Sequence, residues 1–284
     1  MRLLFLVALP LFTVPPLRHD LKRPVAQFDL PAQLTEVSGL TDVDANTVAC
    51  LQDEEAALYF IDLTTGSIKA RYVFGPPGDM EGLTRVGTGF FALRSDGLVY
   101  RIERVQDRFA AVDSFHLHLQ EHNIEGLGYD EKHRRVLISP KDFQKGDPAV
   151  RERRQVFAFD PATERVLPEP VLSFTLSDIE AGARAKGIDL PKRTTPKGRE
   201  VSALKLRMAS IAVDPISDHY FILSAADQLL LELDRQGRFV DLHQLDAALL
   251  PKPEGITFLP GGDMLISTEG KGTPPRLVRY AAKR

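Results

Sequence analysis

The chain has 284 residues, of which 43% are hydrophobic, so it can bury one sizeable core. Its formal net charge of −3 gives no electrostatic case for nucleic-acid binding, which requires a basic face. Its single cysteine excludes an intramolecular disulfide and a cysteine-rich zinc site.

The N-terminus differs from the rest of the chain. Met1 and Arg2 precede an apolar stretch, residues 3–12, that is short for a membrane span and contains a helix-breaking proline. It resembles a secretory signal with a short basic start. We expect residues 1–17 to be a signal peptide or an uncleaved anchor. The protein would then be periplasmic, on the cell surface or secreted, and would touch a membrane only through this segment.

A short phrase recurs along the remaining chain. Its copies are Ser38-Gly39-Leu40-Thr41, Glu81-Gly82-Leu83-Thr84, Glu125-Gly126-Leu127-Gly128 and Glu254-Gly255-Ile256-Thr257, with a degenerate copy at Ser210-Ile211-Ala212-Val213. Ser38 and Glu81 are 43 residues apart, and Glu81 and Glu125 are 44 apart. A period in the forties marks one supersecondary unit per repeat.

Each unit contains short β-rich runs separated by turn residues. In the second unit, residues 89–93 and 98–102 flank the turn Ser95-Asp96-Gly97. Four short antiparallel strands per repeat predict an all-β fold, a β-propeller. We count five four-stranded blades, opening near Ser38, Glu81, Glu125, Ala209 and Glu254. Because 84 residues separate Glu125 from Ala209, a sixth blade is the alternative.

The ends of the chain predict how the ring closes. The last unit lacks an outer strand, and Val25–Leu30 is a strand without a partner, so we expect the two to pair. Residues 25–284 would then form a single propeller domain with insertions at 141–154 and 177–205. In the second insertion, Ser177 and Glu180 have the spacing of a capping box and predict a helix from residue 178 to 186.

Three glutamates occupy equivalent positions in this ring. Glu81, Glu125 and Glu254 each stand at the start of a first strand, so they should converge at one mouth of the channel. Carboxylates that lie so near one another raise each other's pKa unless a cation, basic side chains or water compensates their charge. As a metal site, the three carboxylates would suit Ca²⁺, or Mg²⁺ with retained waters. A purely structural role for the repeated phrase is the alternative.

Further polar residues should reach the same rim. They follow the second strands or precede a glutamate by two residues: Asp53, Arg94, Lys141, Glu269, Asp79 and Asn123. Arg94 and Lys141 could pair with the glutamates, and the others add oxygen ligands.

These phrases also resemble a known family. They are Gln52-Asp53-Glu54-Glu55, Gly78-Asp79-Met80-Glu81-Gly82, Leu93-Arg94-Ser95-Asp96-Gly97, Asn123-Ile124-Glu125-Gly126-Leu127, Ser210-Ile211-Ala212-Val213-Asp214-Pro215, Pro253-Glu254-Gly255-Ile256-Thr257-Phe258 and Ser267-Thr268-Glu269-Gly270. Together they resemble the SdiA-regulated domain family of exported bacterial propellers, the YjiK-like proteins. The resemblance implies a propeller similar in style to phytase-like and lactonase-type propellers with a central divalent cation. Ala209 departs from the pattern and leaves the ring of acids incomplete.

We therefore expect an exported propeller that binds a small ligand or a protein partner at the channel mouth, with a divalent cation as one means of doing so. A metal-assisted hydrolase of phosphate esters or lactones is the first alternative. An interaction scaffold that uses the outer rim and the basic second insertion is the other.

Overall fold

The structure is a computed structural model that describes residues 18–119, 123–141 and 147–283. The predicted signal or anchor, residues 1–17, and residues 142–146 of the first insertion lie outside the described residues. Within the described part of the chain, no helix combines the length and the apolar character needed to cross a membrane.

The chain forms five small antiparallel sheets. The first strand, β1 (Ala26–Asp29), belongs to the fifth blade. The first blade contains β2 (Val37–Asp44), β3 (Thr47–Gln52), β4 (Glu55–Asp62) and β5 (Ile68–Val73). The second contains β6 (Met80–Val86), β7 (Gly89–Arg94), β8 (Leu98–Val105) and β9 (Arg108–His116).

The third blade is the irregular one. It contains β10 (Ile124–Asp130), β11 (Arg135–Pro140) and β12 (Arg153–Asp160), and its outer position is divided between β13 (Arg165–Val166) and β14 (Leu172–Thr175). Helix α1 (Pro148–Glu152) precedes β12, and helix α2 (Leu176–Ala185) follows β14. A separate hairpin of β15 (Lys192–Thr194) and β16 (Glu200–Ser202) comes next.

The fourth and fifth blades are regular. The fourth contains β17 (Ser210–Val213), β18 (Tyr220–Ser224), β19 (Leu229–Leu233) and β20 (Phe239–Gln244). The fifth contains β21 (Pro253–Phe258), β22 (Met264–Thr268) and β23 (Arg276–Tyr280), with β1 added at its edge.

The five-bladed propeller and its closure by an N-terminal strand are confirmed. β1 pairs antiparallel with β23, from Ala26 opposite Arg279 to Asp29 opposite Arg276, so strands from the two ends of the described chain complete one sheet. The interval between Glu125 and Ala209 holds one blade, α2 and the hairpin, so no sixth blade is formed there.

The hydrophobic core lies between successive blades. In β3, Val48 and Cys50 pack toward the fifth blade, whereas Ala49 and Leu51 pack toward the second. All four side chains are buried, because each face of an inner strand is covered by a neighbouring blade. This explains why residues 48–51 of β3 form an unbroken apolar run, while the outer strand β5 alternates between partly buried and exposed residues.

The glycine of the recurring phrase sits where neighbouring inner strands come closest. A Cβ added to Gly82 would lie 2.7 Å from the backbone oxygen of Glu125 and 2.9 Å from the backbone nitrogen of Leu127. Equivalent backbone approaches toward the next blade occur at Gly39 and Gly126. At these three positions the close approach of the neighbouring blade therefore requires glycine.

The helix in the second insertion starts earlier than the sequence indicates. The capping box is formed by Thr175 and Asp178, and α2 begins at Leu176, so the prediction of Ser177 as the cap was wrong. Ile179 and Ala183 are buried against the third and fourth blades. Thr175 is the cap because the helix directly follows β14, whose last residue it is.

Replacing Gly82 by Ala should lower the free energy of unfolding by about 1–3 kcal/mol or more, because the added methyl meets backbone atoms that cannot move aside. Urea unfolding followed by circular dichroism measures the change. Gly261→Ala is the matched control, since a Cβ there would meet nothing within 4 Å. Equal urea midpoints for the two variants would contradict the packing argument.

Candidate functional site

One face of the propeller gathers the residues singled out in the sequence. Neighbouring strands are antiparallel, so the starts of first strands, the ends of second strands and the connections between blades all lie at the same face. We call the channel opening at this face, with Glu81, Glu125 and Glu254 at its inner strands, the glutamate mouth.

Each of these glutamates occupies a bulge in the ladder. The pairing register between the first and second strands shifts at Met80/Gly82, at Ile124/Gly126 and at Pro253/Gly255, so the glutamate between each pair has no partner opposite it. A bulge bends the strand and redirects the side chain of the extra residue. The phrase thus combines a glycine that lets blades approach with a glutamate released from the ladder.

The fourth blade lacks both features. Ala209 stands at the glutamate's position and Ser210 at that of the glycine, and β17 pairs with β18 in an unbroken register. The Ser210 hydroxyl instead accepts a hydrogen bond of 3.3 Å from the backbone nitrogen of Ile256 in the next blade. The charged ring is open on this side, as the sequence predicts.

Two lysines neutralise part of the negative charge. Lys141 Nζ contacts Glu125 Oε1, and Lys252 Nζ lies 3.1 Å from Glu254 Oε1 and 2.5 Å from Glu269 Oε1. Although burial opposes their charged forms, the surrounding carboxylates raise the pKa of both lysines. They are therefore ammonium ions at neutral pH, and they cannot act as neutral amine nucleophiles.

Glu125 is the most deeply buried member of the group. Its side chain is 2% exposed, and its Oε2 atom has no hydrogen-bond partner among the described residues. Burial raises its pKa to about 7 even though Lys141 opposes the shift. An unpartnered oxygen of a buried carboxyl is costly for folding alone, so it marks an acceptor available to something else.

Glu81 experiences the strongest shift that carries a value. Burial, followed by the charges of Glu125 and Asp79, raises its pKa to about 9, and Lys141 only partly offsets this. Glu81 therefore holds a proton at neutral pH. The pKa of Glu254 is also raised by burial, against the opposing effect of Lys252.

A second acidic group lies beside the first. Burial, with the charges of Glu36, Glu269 and Asp79, raises the pKa of Asp53 to about 7. Because Glu269 also contacts Lys252, the acids around Asp53 are linked to those of the mouth. Among the described residues, these acidic groups outnumber the two lysines that pair with them.

The structure brings together most, but not all, of the residues predicted from the sequence. Arg94 is the exception: its guanidinium binds the Asp96 carboxylate, with Nε 2.9 Å from Oδ1, and does not pair with a glutamate. Asp96 takes this place because it lies two residues away in the same turn. Asn123 adopts a left-handed conformation (φ 57°), and its carbonyl accepts a hydrogen bond from the Lys141 backbone nitrogen.

Lys252 was missed by the sequence reasoning, although a signal was present. It precedes Glu254 by two residues, the same offset at which Asp79 precedes Glu81 and Asn123 precedes Glu125. The offset therefore marks the same interblade position before each glutamate, whatever the chemical type of the residue there.

The donor set does not fit a metal ion held by the three glutamates. Among the residues that the structure describes, no three acidic, histidine or cysteine side chains are placed so as to hold a metal. Glu125 and Glu254 are already paired with ammonium groups, which take the place that a cation would need. Calcium or magnesium stays a prediction.

A cavity of about 520 Å³ lies at the opposite mouth, where the inner strands end. Its charged residues are mostly paired with one another: Arg85 Nη2 is 2.9 Å from Asp42 Oδ2, and Lys132 Nζ is 2.7 Å from Asp218 Oδ2. We place the candidate site at the glutamate mouth instead, because shifted pKa values and an unpartnered buried oxygen mark functional sites better than volume does.

Both insertions of the third blade also lie on the glutamate face. α1 lies in a connection from a second to a third strand, and α2 with the hairpin lies in a connection between blades. Arg154 joins the two, because its Nε donates to the carbonyl of Leu206 at 2.9 Å and its Nη1 to that of Arg151 at 2.8 Å. The elaborated face of the propeller is therefore the one with the charged mouth.

Comparison with solved structures agrees with the fold. The glutaminyl cyclase of Myxococcus xanthus superposes with a TM-score of 0.58 at 13% identity, covering 91% of this chain and 95% of that one. The PQQ-bound aldose sugar dehydrogenase of Streptomyces coelicolor gives 0.52 at 11% identity, covering 91% and 97%. At such identities the likeness concerns the fold alone.

No family model and no curated protein matches the sequence. The resemblance to the SdiA-regulated domain family therefore stays a prediction.

Replacing Glu81 by Gln should stabilise the protein increasingly as the pH rises from 5 to 8. The raised pKa means that the folded state keeps a proton which the unfolded state loses above its ordinary pKa of 4.5, so the wild type loses stability up to about pH 9. Near pH 4 the two proteins should be alike. At pH 8 the variant should gain about 1–3 kcal/mol, the usual cost of a poorly solvated buried group.

Urea unfolding between pH 4 and pH 9 measures this difference. Glu169→Gln, at an exposed glutamate, is the control and should follow the wild type at every pH. Parallel curves for the wild type and Glu81→Gln would contradict the pKa assignment.

Proposed function

We propose that this propeller binds a small ligand at the glutamate mouth. The observation that carries the proposal is the Glu125 carboxylate, which is buried and ion-paired through Oε1 yet has an Oε2 without a partner among the described residues. A fold selected for stability alone would not retain this group, since buried polar atoms without partners destabilise proteins. The two insertions on the same face add support.

Export is part of the proposal, on the strength of the apolar stretch after Met1 and Arg2. Membership of the SdiA-regulated domain family is proposed on the order and spacing of the recurring phrases. Neither export nor membership of this family identifies a substrate.

Binding of simple ions that represent ligand classes tests the proposal. The probes are CaCl₂, MgCl₂, sodium acetate and n-butylammonium chloride, each at constant total ionic strength. At least one should raise the melting temperature of the wild type by several degrees. A probe at 100 times its Kd stabilises by about 2.7 kcal/mol, and each kcal/mol shifts the melting temperature of a chain of this size by about 2–4 °C.

The same probe should have little effect on Glu125→Gln, while Glu169→Gln should respond as the wild type does. The proposal fails if no probe stabilises the wild type, or if stabilisation is unchanged in Glu125→Gln. The two divalent salts also decide the calcium or magnesium prediction, and elemental analysis of protein purified without chelator provides a second measurement.

Hydrolysis is the second candidate function. It is favoured by two neighbouring carboxyl groups whose pKa values are set apart, at about 9 for Glu81 and about 7 for Glu125. In hydrolysis of a lactone, Glu125 would take a proton from the attacking water while Glu81 gives its proton to the leaving alkoxide. The Lys141 ammonium would stabilise the negative charge that develops on the carbonyl oxygen.

A panel of lactones and phosphate monoesters tests this candidate. If it is right, at least one substrate is turned over, and Glu81→Gln and Glu125→Gln each reduce kcat by about 10²–10⁴-fold, the usual contribution of a general acid or base. Activity equal in the wild type and both variants would exclude the role. Absence of turnover across the panel would leave ligand binding as the function.

A further inference from the structure

We propose that the ligand of the glutamate mouth carries a primary ammonium group, which the carboxyl oxygens of Glu81 and Glu125 accept. This inference rests on the proposed function and names the chemical class of the ligand. It follows from what the mouth already binds, from what it leaves free and from the shape of its charge distribution.

The mouth is already built around ammonium groups. Its carboxylates contact two lysine Nζ atoms, with Glu125 on Lys141 and with Glu254 and Glu269 on Lys252. An ammonium ion offers three hydrogen-bond donors, and its bonds to carboxylates are among the stronger ones in proteins. The geometry at the mouth is therefore suited to this group.

Acceptors remain after both lysines are placed. Glu125 Oε2 has no partner among the described residues, although the side chain is 2% exposed. Glu81 makes no ion pair with a lysine or arginine in the described part of the chain. Four carboxyl groups thus face two ammonium groups, and the unmatched acceptors belong to the adjoining second and third blades.

An anionic ligand is a poorer match. Lys141 and Lys252 are the cations of the mouth, and each is held by a carboxylate. An anion could bind them only by displacing Glu125 or Glu254, leaving a buried carboxylate without its partner, which is strongly unfavourable. A cationic group instead adds the missing partner to an existing excess of acceptors.

The charge distribution also favours an organic cation over a metal ion. A divalent ion needs a compact shell of oxygens around it, and no suitable group of three side chains occurs in the described residues. The carboxyl groups come from blades two, three and five, while Ala209 occupies the equivalent position on blade four. The acceptors that the lysines leave free, on Glu81 and Glu125, come from the adjoining second and third blades, and such a one-sided set suits a ligand whose charge is at one end.

Titration of the full chain with n-butylammonium chloride tests the inference, with total chloride held constant by NaCl and binding followed by isothermal calorimetry. We expect a Kd of about 0.1–10 mM, which is reasonable for a ligand of about five heavy atoms. n-Butanol has the same alkyl chain without the charge and should not bind measurably. Tetramethylammonium has the charge without N–H donors and should bind at least about tenfold more weakly, because it can make no hydrogen bonds to the carboxyl oxygens.

The variants locate the binding. Glu81→Gln and Glu125→Gln should each weaken n-butylammonium binding at least about fivefold, and Glu169→Gln should leave it unchanged. A bound ammonium favours the ionised form of a neighbouring carboxyl, including that of the otherwise protonated Glu81, and glutamine cannot adopt this form. Glu81→Gln is the decisive variant if Glu125→Gln does not fold, because we expect Glu81→Gln to be at least as stable as the wild type. Equal binding by Glu81→Gln and the wild type would overturn the inference.

The same experiment separates this inference from the proposed function. If n-butylammonium fails to bind while acetate or Ca²⁺ binds in a Glu125-dependent way, the ammonium class is wrong and ligand binding at the mouth stands. If none of the four probes binds, or if those that bind do so equally to Glu125→Gln, the proposed function fails together with the inference.

Discussion

The closest approach of the five inner strands is the constraint on which the rest of the structure depends. Where two of these strands meet, a single added carbon atom would lie 2.5 Å from the next blade at Gly39 and 2.7 Å at Gly82. The fifth blade makes the same contact with the first, since a Cβ on Gly255 would lie 2.8 Å from the Ser38 carbonyl oxygen. At these glycines the backbones of neighbouring blades touch, so a side chain does not fit, whereas the fourth blade, which has no bulge, accommodates Ser210. The glycine recurs in the sequence with the period of the blades because each of these contacts between neighbouring blades needs one.

The chemistry of the mouth follows from the same constraint. Each bulge that brings a glycine against the next blade also releases the preceding residue from the ladder, and three of these residues are glutamates. Their burial raises the pKa of Glu81 and of Glu125, and Lys141 and Lys252 offset part of the resulting cost. In these three blades, the bulge at the contact between blades therefore places polar side chains where solvent cannot fully satisfy them.

The recurring phrase marks both the contacts between blades and the positions of the glutamates, and this explains how much could be predicted from the sequence. The fold was predictable because the phrase that sets the ring's radius is also a visible repeat, and its spacing counted the blades. The contact between Glu125 and Lys141 was also predictable, because the start of a first strand and the end of a second strand lie at the same face. The partner of Arg94 could not be predicted in this way, because Asp96 in the same turn binds its guanidinium. The contacts of Lys252 could not be predicted, because tertiary packing sets the path of the interblade loop. The order of the glutamate pKa values could not be predicted either, because it depends on burial, which the sequence pattern does not show.

The fourth blade shows that the two functions of the phrase are separable. Ser210 replaces the glycine and makes a hydrogen bond to Ile256, so the ring stays closed without a bulge, and the position before it is left to Ala209, which is buried. The long connection that contains α2 and the hairpin also leads into this blade. The backbone N–H of Leu206, near the end of that connection, donates to Oδ2 of Asp227, which lies between β18 and β19, at 2.8 Å. The glutamate of the phrase is thus absent from the blade at which the insertion enters the face. All five blades close, but a glutamate precedes the contact position in only three of them, with Ser38 in the first blade and Ala209 in the fourth, so closure does not itself depend on the charge.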